Sequence, residues 1–185
     1  MPKAKAPKKS ASPKKPDSLL PKIIATGLPH LPPMYRLKAR EKYLPFSHAE
    51  TRLAKSRNYW ICTARPDGRP HSIPVWGFWM DGAVYFGTAR ASRKSRNLAH
   101  HPAVSIHLDS GDDVVILEGT ATEVDPNDKP TFKKLDAASR LKYKMPMTAP
   151  PGGESVVYRV RPRVVLAWTE KDFPNNATRW ELDVS

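Results

Sequence analysis

The sequence predicts a mainly β fold with a few helices, arranged as a closed or partly closed antiparallel barrel. Three observations carry that expectation. Six or seven short strand-like runs follow one another from Tyr59 onward. Tight-turn chemistry joins them at hairpin spacing, with few helices between. Alternating strand–helix units and any G-x-G-x-x-G run are absent, which argues against a doubly wound nucleotide-binding fold.

The elements follow in order. Ser47-His-Ala-Glu50 reads as a capping box that opens a helix to about Arg57. Tyr59 to Thr63 is a buried type of strand. In Arg65-Pro-Asp-Gly68, Pro presets φ and Gly tolerates a positive one, so the chain turns. His71 to Trp79 returns as one strand, and Asp81-Gly82 makes the next hairpin into Ala83 to Thr88. A helix over about Arg93 to His101 stops at Pro102. Ala103 to Leu108 and Val114 to Val124 are strands joined by the turn Ser110 to Asp113. A further helix starts within Asp125 to Asp128, takes Pro130 in its first turn and runs to about Lys142. Met145 to Gly153, rich in Pro and Gly, is a loop. Two strands are expected near Ser155 to Val160 and Val164 to Trp168, and Asp172 to Asn176 reads as a loop before the terminal run Thr178 to Leu182.

The 185 residues suit one domain with length to spare. Residues 1–16 hold six lysines, four prolines and no acid, a composition that cannot bury enough apolar surface to order itself, so a disordered tail is expected. Residues 17–46 read as a Pro-rich approach with few periodic signals, in which Leu19, Leu20, Ile23 and Ile24 pack on the body or on a partner. Residues 47–185 form the domain. The net charge is +13, and about +7 remains without the tail lysines. A basic body suits a polyanionic cofactor. The single cysteine, Cys62, excludes an internal disulfide, fits a reducing compartment and reads as a small core residue. No apolar stretch is long enough to span a membrane, and the charged N-terminus lacks the apolar core of a secretory signal, so the cytoplasm is the expected location.

The densest chemical signal is Phe86 to Leu98, where a strand runs into small, hydroxyl and cationic residues and then a helix. Ser92 is the expected N-cap, and the amides of Arg93, Lys94 and Ser95 are the unpaired donors of the first turn. The helix dipole favours an anion there, and Arg93 and Lys94 add charge. This is chemistry for holding a phosphate, with Thr88 beside it; taken alone, the run equally suits a basic, solvated helix face followed by a strand.

Several runs occur together in a fixed order: Asp67 to Trp76, Tyr85 to Thr88, Ser92-Arg-Lys-Ser-Arg-Asn-Leu98, His101-Pro102 and Glu118 to Ala121. Over about residues 47 to 182 the chain resembles the split β-barrel flavoproteins, which include pyridoxamine 5'-phosphate oxidase and the flavin/deazaflavin oxidoreductases. The resemblance implies a six-stranded antiparallel split β-barrel of the FMN-binding type, a homodimer with cofactor sites at the subunit interface, and a phosphate held by Ser92, Arg93 and Lys94, with Thr88 close by and Arg96 and Asn97 as further candidates. It also implies that Ile73, Pro74, Val75 and Trp76 run along the cofactor ring, with Val75 and Trp76 supplying backbone donors because Pro74 has none. Trp180, in the terminal Thr178-Arg-Trp run, is a further ring or interface contact. Ile73 stands where pyridoxamine phosphate oxidase has a basic residue, and the full Arg-rich C-terminal motif of that oxidase is missing. Vitamin B6 oxidation is therefore not expected. The Ser92-Arg-Lys-Ser-Arg-Asn-Leu98 form and the Thr178-Arg-Trp180 ending look more like the branch that binds coenzyme F420 and reduces small conjugated molecules, with FMN as the alternative cofactor and haem or biliverdin as ligands of other relatives. Binding of a flavin or tetrapyrrole without turnover is the second reading.

Other constellations point less far. No G-x-S-x-G frame or triad is visible. His100 and His101 are adjacent at a helix end, which suits capping rather than a metal. His71 and His107 alternate with apolar residues on strands, and His71 has the stronger functional position because it adjoins the ring-binding segment. Trp60, Trp76, Trp79 and Trp168 lie in strand-like runs and suit core or dimer packing. The tail lysines lack interleaved aromatics, so specific nucleic-acid binding is not expected.

Overall fold

The computed structural model describes residues 21–35, 42–147 and 153–183. Residues 1–16, with Leu19 and Leu20 and part of the Pro-rich loop, lie outside the described residues. The strands are β1 (Ile23–Gly27), β2 (Asn58–Ala64), β3 (Pro70–Trp76), β4 (Phe78–Met80), β5 (Ala83–Ala89), β6 (Ala103–His107), β7 (Asp113–Glu123), β8 (Ser155–Thr169) and β9 (Thr178–Leu182). The helices are α1 (Phe46–Lys55), α2 (Arg93–His100) and α3 (Lys129–Tyr143).

All strand pairings are antiparallel. β3 and β4 are two halves of one strand, broken at Gly77. β3 pairs with β2, whereas β4 pairs with β5. The ring runs β2, β6, β7, β8, β5 and back through β4 and β3, which makes six strands when the broken one counts once. β8 serves both sides of the split: its first half pairs with β5 and its second with β9. β1 then pairs with β9, so the approach segment contributes a strand that the sequence reading did not foresee.

The break at Gly77 corrects the expected single strand from His71 to Trp79. A Cβ at Gly77 would lie 2.9 Å from the Tyr85 carbonyl oxygen and 3.0 Å from the Tyr59 ring, so only glycine lets the two strands approach here. The opposite correction applies to β8, one continuous strand rather than two. A bulge opposite Glu118/Gly119 absorbs the irregularity at Pro162 and Arg163 without ending the strand. The Asp81-Gly82 hairpin forms as expected, with φ of 51° and 71°.

The capping box at Ser47 does not form. α1 begins two residues earlier, with Pro45 as N-cap and no side-chain cap. Ser47 therefore lies inside the first turn, where its carbonyl accepts the Thr51 hydroxyl at 2.7 Å. What holds α1 is burial of Ala49 and Leu53 in the barrel core and a bridge from Arg52 Nε to Asp113 at 2.6 Å, joined by His48 at 3.0 Å. Burial raises the Asp113 carboxyl, but Arg52 and His48 outweigh it and hold the group below its ordinary value.

Inward residues of the ring, among them Ile61, Phe86, Ile106, Leu117 and Val160, form the main core. A second cluster of Phe78, Tyr85, Leu135, Tyr143 and Val157 fixes α3 on the outside of β4, β5 and β8. Cys62 is half-buried rather than in the core, with Sγ 3.1 Å from Ser72 Oγ across the β2–β3 pair.

A cationic cradle at the start of α2

α2 starts as expected. Ser92 is the N-cap, and its Oγ accepts the Ser95 N–H at 3.3 Å and lies 3.0 Å from Thr88 Oγ1. The Ser95 amide is thus used by the cap, and helix geometry leaves those of Arg93 and Lys94 without intrahelical partners. The buried Ser95 hydroxyl contacts Tyr158 OH at 3.0 Å, which pins this turn to β8. His101 closes the helix through its backbone N–H to the Asn97 carbonyl at 2.8 Å.

The β2–β3 hairpin brings further cations to the same place. Burial first, and then the charges of Lys94, Arg65 and Arg93, push His71 below its ordinary value, so these four side chains form one electrostatic cluster. Burial alone lowers the Lys94 ammonium. Two buried atoms of the cluster, His71 Nδ1 and Arg65 Nε, have no hydrogen-bond partner among the described residues. Buried polar atoms without partners are rare, and here two accompany the charges of Arg65, Arg93 and Lys94. The donor set fits a phosphate: two free amides, two hydroxyls, Arg65, Arg93, Lys94 and an imidazole that would accept a proton beside an anion. Arg65 was read only as turn chemistry. Its signal is the three-residue hairpin that sets Thr63 opposite His71, which fixes Arg65 at the same barrel end.

Two candidate residues do not join this site. Asn97 is fully buried and donates from Nδ2 to Thr63 Oγ1 at 2.9 Å, so it fastens α2 to β2. Trp180 is 2% exposed, inside the main core and edge-on to Phe46 at 5.4 Å, so it presents no open ring face. Arg96 is exposed and donates to the Ala91 carbonyl at 2.8 Å, which stabilises the loop before the helix.

β3 lies at one end of the strand path, and its ladder has a definite phase. The Arg65 N–H donates to the Arg69 carbonyl at 2.9 Å, so alternate residues His71, Ile73 and Val75 point their amides at β2. Ser72, Pro74 and Trp76 point theirs away, and Pro70 and Pro74 occupy positions where no N–H is needed. Of the two donors expected beside Pro74, Trp76 has a free amide and Val75 is committed to the ladder. Val75 also packs its side chain on the core, whereas Trp76 is 45% exposed. The Trp76 ring stacks on Tyr143 at 4.6 Å, with the Arg57 guanidinium 5.2 Å from its centre.

Between Trp76 and Thr88 opens a cavity of about 380 Å3. Phe78, Tyr143, Met145, Met147 and Val157 give it an apolar wall, and among the described residues no Asp, Glu, Lys, Arg or His lines it. Thr88 belongs to both the cavity and the cradle, so a charged end and an uncharged end meet at one residue. Behind this wall, Tyr143 OH donates to the Arg57 or Gly77 carbonyl and accepts the Gly77 N–H at 2.9 Å. Lys142 Nζ donates to the Gly77 carbonyl at 3.0 Å. Among the described residues, no group of His, Cys, Asp and Glu could hold a metal ion.

A six-stranded split barrel with a cation-rich helix start is of the pyridoxamine 5'-phosphate oxidase class. A family model described as pyridoxamine 5'-phosphate oxidase matches residues 47–169, and the chain belongs to that family. Among solved structures, it is similar to an F420 reductase, with 25% identity, a TM-score of 0.51 and coverage of 69% of this chain and 98% of that one. A conserved hypothetical protein from Mycobacterium tuberculosis is also 25% identical, with a TM-score of 0.58 over 72% of this chain and 89% of its own. A heme binding protein from Mycobacterium smegmatis shares the fold at 22% identity and a TM-score of 0.53, over 69% of this chain and 55% of that one. No curated protein matches the sequence.

Proposed function

We propose that this protein is an oxidoreductase that holds coenzyme F420, or alternatively FMN, and serves hydride transfer to a small conjugated substrate. The observation that carries this reading is the cradle of Arg65, His71, Arg93 and Lys94 around free helix-start amides, at the end of an open strand edge. The likeness to an F420 reductase supports the deazaflavin over the flavin.

In this reading Ser92, Arg93 and Lys94 hold the cofactor phosphate, with Arg65 and His71 opposite. The Ile73–Trp76 segment lies along the ring, and the free Trp76 amide is its backbone donor. The bound cofactor supplies the hydride. The chain binds, orients and excludes water: the uncharged cavity beside Trp76 admits a neutral, flat substrate and disfavours one with a phosphate of its own. Met145 and Met147 adapt to different ring shapes. We further propose a homodimer, in which a second copy covers the β3 edge and the exposed Trp76.

The test is titration with F420 and with FMN side by side, followed by cofactor and tryptophan fluorescence. Saturable micromolar binding of F420 alone is the expected result. Binding of neither would sink the redox reading. Turnover of activated alkenes with reduced cofactor separates an enzyme from a carrier that binds without reacting.

A further inference from the structure

We propose a second anion site on the outer face of β8, apart from the α2 cradle. It would take a small polyanion bearing two or three phosphate or carboxylate groups. Arg159, Arg161 and Arg163 with Thr120 and Thr122 of β7 line a hollow of about 220 Å3. That is about seven waters' worth of space at ~30 Å3 each, the size of pyrophosphate or a tricarboxylate. Among the described residues its lining holds three guanidinium groups, two hydroxyls and no carboxylate.

The strand period puts these arginines on one face, about 7 Å between successive ones. Arg163 falls at the bulge, where Glu118 pairs with Val164 and Gly119 with Pro162, so it is the extra residue, and it stays exposed beside Arg161. A Cβ on Gly119 would sit 2.2 Å from the Arg161 carbonyl oxygen, so this close approach of β7 to β8 depends on glycine.

Three of the nearby acids are committed elsewhere. Glu123 takes two bonds from Arg90 at 2.9 Å, and Glu181 is paired with Arg179. Asp128 feels the Arg159 charge but serves as the N-cap of α3, accepting the Thr131 N–H at 3.1 Å. Glu118, next along β7, makes no ion pair with the arginines among the described residues. Arg159 Nε is buried and has no hydrogen-bond partner among the described residues. Three like charges aligned on one face, one with an unsatisfied buried donor, repel each other until an anion joins them. Guanidinium forks suit planar carboxylates and phosphates equally, so the charge pattern defines the class of ligand and not its source.

The experiment is calorimetric titration of the full chain with pyrophosphate and, separately, with citrate, at constant ionic strength set by sodium chloride. Three proteins are compared: the natural chain, Lys94→Ala, and the double variant Arg161→Gln/Arg163→Gln, which alters exposed side chains only. Pyrophosphate should bind the natural chain at two places. Lys94→Ala should keep the β8 event, and the double variant should weaken it at least tenfold while its urea midpoint holds or rises. Preference for pyrophosphate assigns a phosphate ligand, and preference for citrate a polycarboxylate. The site is disproved if the double variant binds both anions like the natural chain, or if Lys94→Ala alone abolishes all binding.

Discussion

Lys94 and His71 make opposite demands on an anion. Burial lowers the Lys94 ammonium, whereas burial first and then the charges of Lys94, Arg65 and Arg93 lower His71. Lys94→Ala should therefore weaken cofactor binding at least tenfold, about 1.4 kcal/mol or more, and leave the urea midpoint nearly unchanged. For His71 the sign reverses on binding. A phosphate brings negative charge, the imidazole gains a proton, and affinity rises as pH falls through the bound-state pKa toward the lower free value. NMR titration of the His71 ring with and without cofactor should show an upward shift; an unchanged pKa would place the phosphate elsewhere. Ser92, Arg93 and Lys94 were legible because a helix start and its charges are contiguous in sequence. Arg65 was not, since only barrel closure carries its hairpin to α2. Asn97 and Trp180 misled for a related reason: a sequence states residue type but not which way a side chain faces, and both face inward.

Among the elements, the β3–β4 break and the end of α3 form one joint. Lys142 is packed among the rings of Tyr59, Phe78 and Tyr143, at 5.0 to 5.8 Å from their centres. Burial pushes its pKa down to about 8, against 10.5 for the free side chain. Between those values the unfolded chain holds more protons than the folded one, so this residue makes stability rise with pH. The urea midpoint of the natural chain should increase from pH 7 to 9.5 relative to that of Lys142→Met; parallel curves would show that the ammonium is not desolvated in solution. The β7–β8 bulge gives a second test. Gly119→Ala forces a Cβ into the Arg161 backbone and should cost about 2–4 kcal/mol, read by urea unfolding. The hairpins were readable because turn residues are local. The split of one expected strand and the fusion of two others were not. Each depends on what the neighbouring strand does at Gly77 or Gly119, several elements away. The capping box failed because Pro45 already sets the extended entry, and core burial of Leu53 fixes where α1 sits.

At the scale of the molecule, ring closure depends on one strand changing partners in the middle, and that leaves β3 with an open edge. The homodimer expected from this edge should appear as twice the 20.8 kDa chain mass in sedimentation, and Trp76→Arg should shift it toward the monomer. A monomer in the natural chain would require a cofactor site built from one copy. The barrel class was legible from strand spacing and turns, whereas β1 was hidden. Its five residues, Ile-Ile-Ala-Thr-Gly, lie among prolines and are largely exposed, so no alternating pattern marks them as a strand. Yet β1 is what covers β9. If the chain were trimmed to begin after Gly27, the barrel core would survive, but Arg179 to Leu182 would offer raw backbone to any neighbour. The consequence is one of solubility: the trimmed protein should fold and then clump, its molecules joining edge to edge at β9.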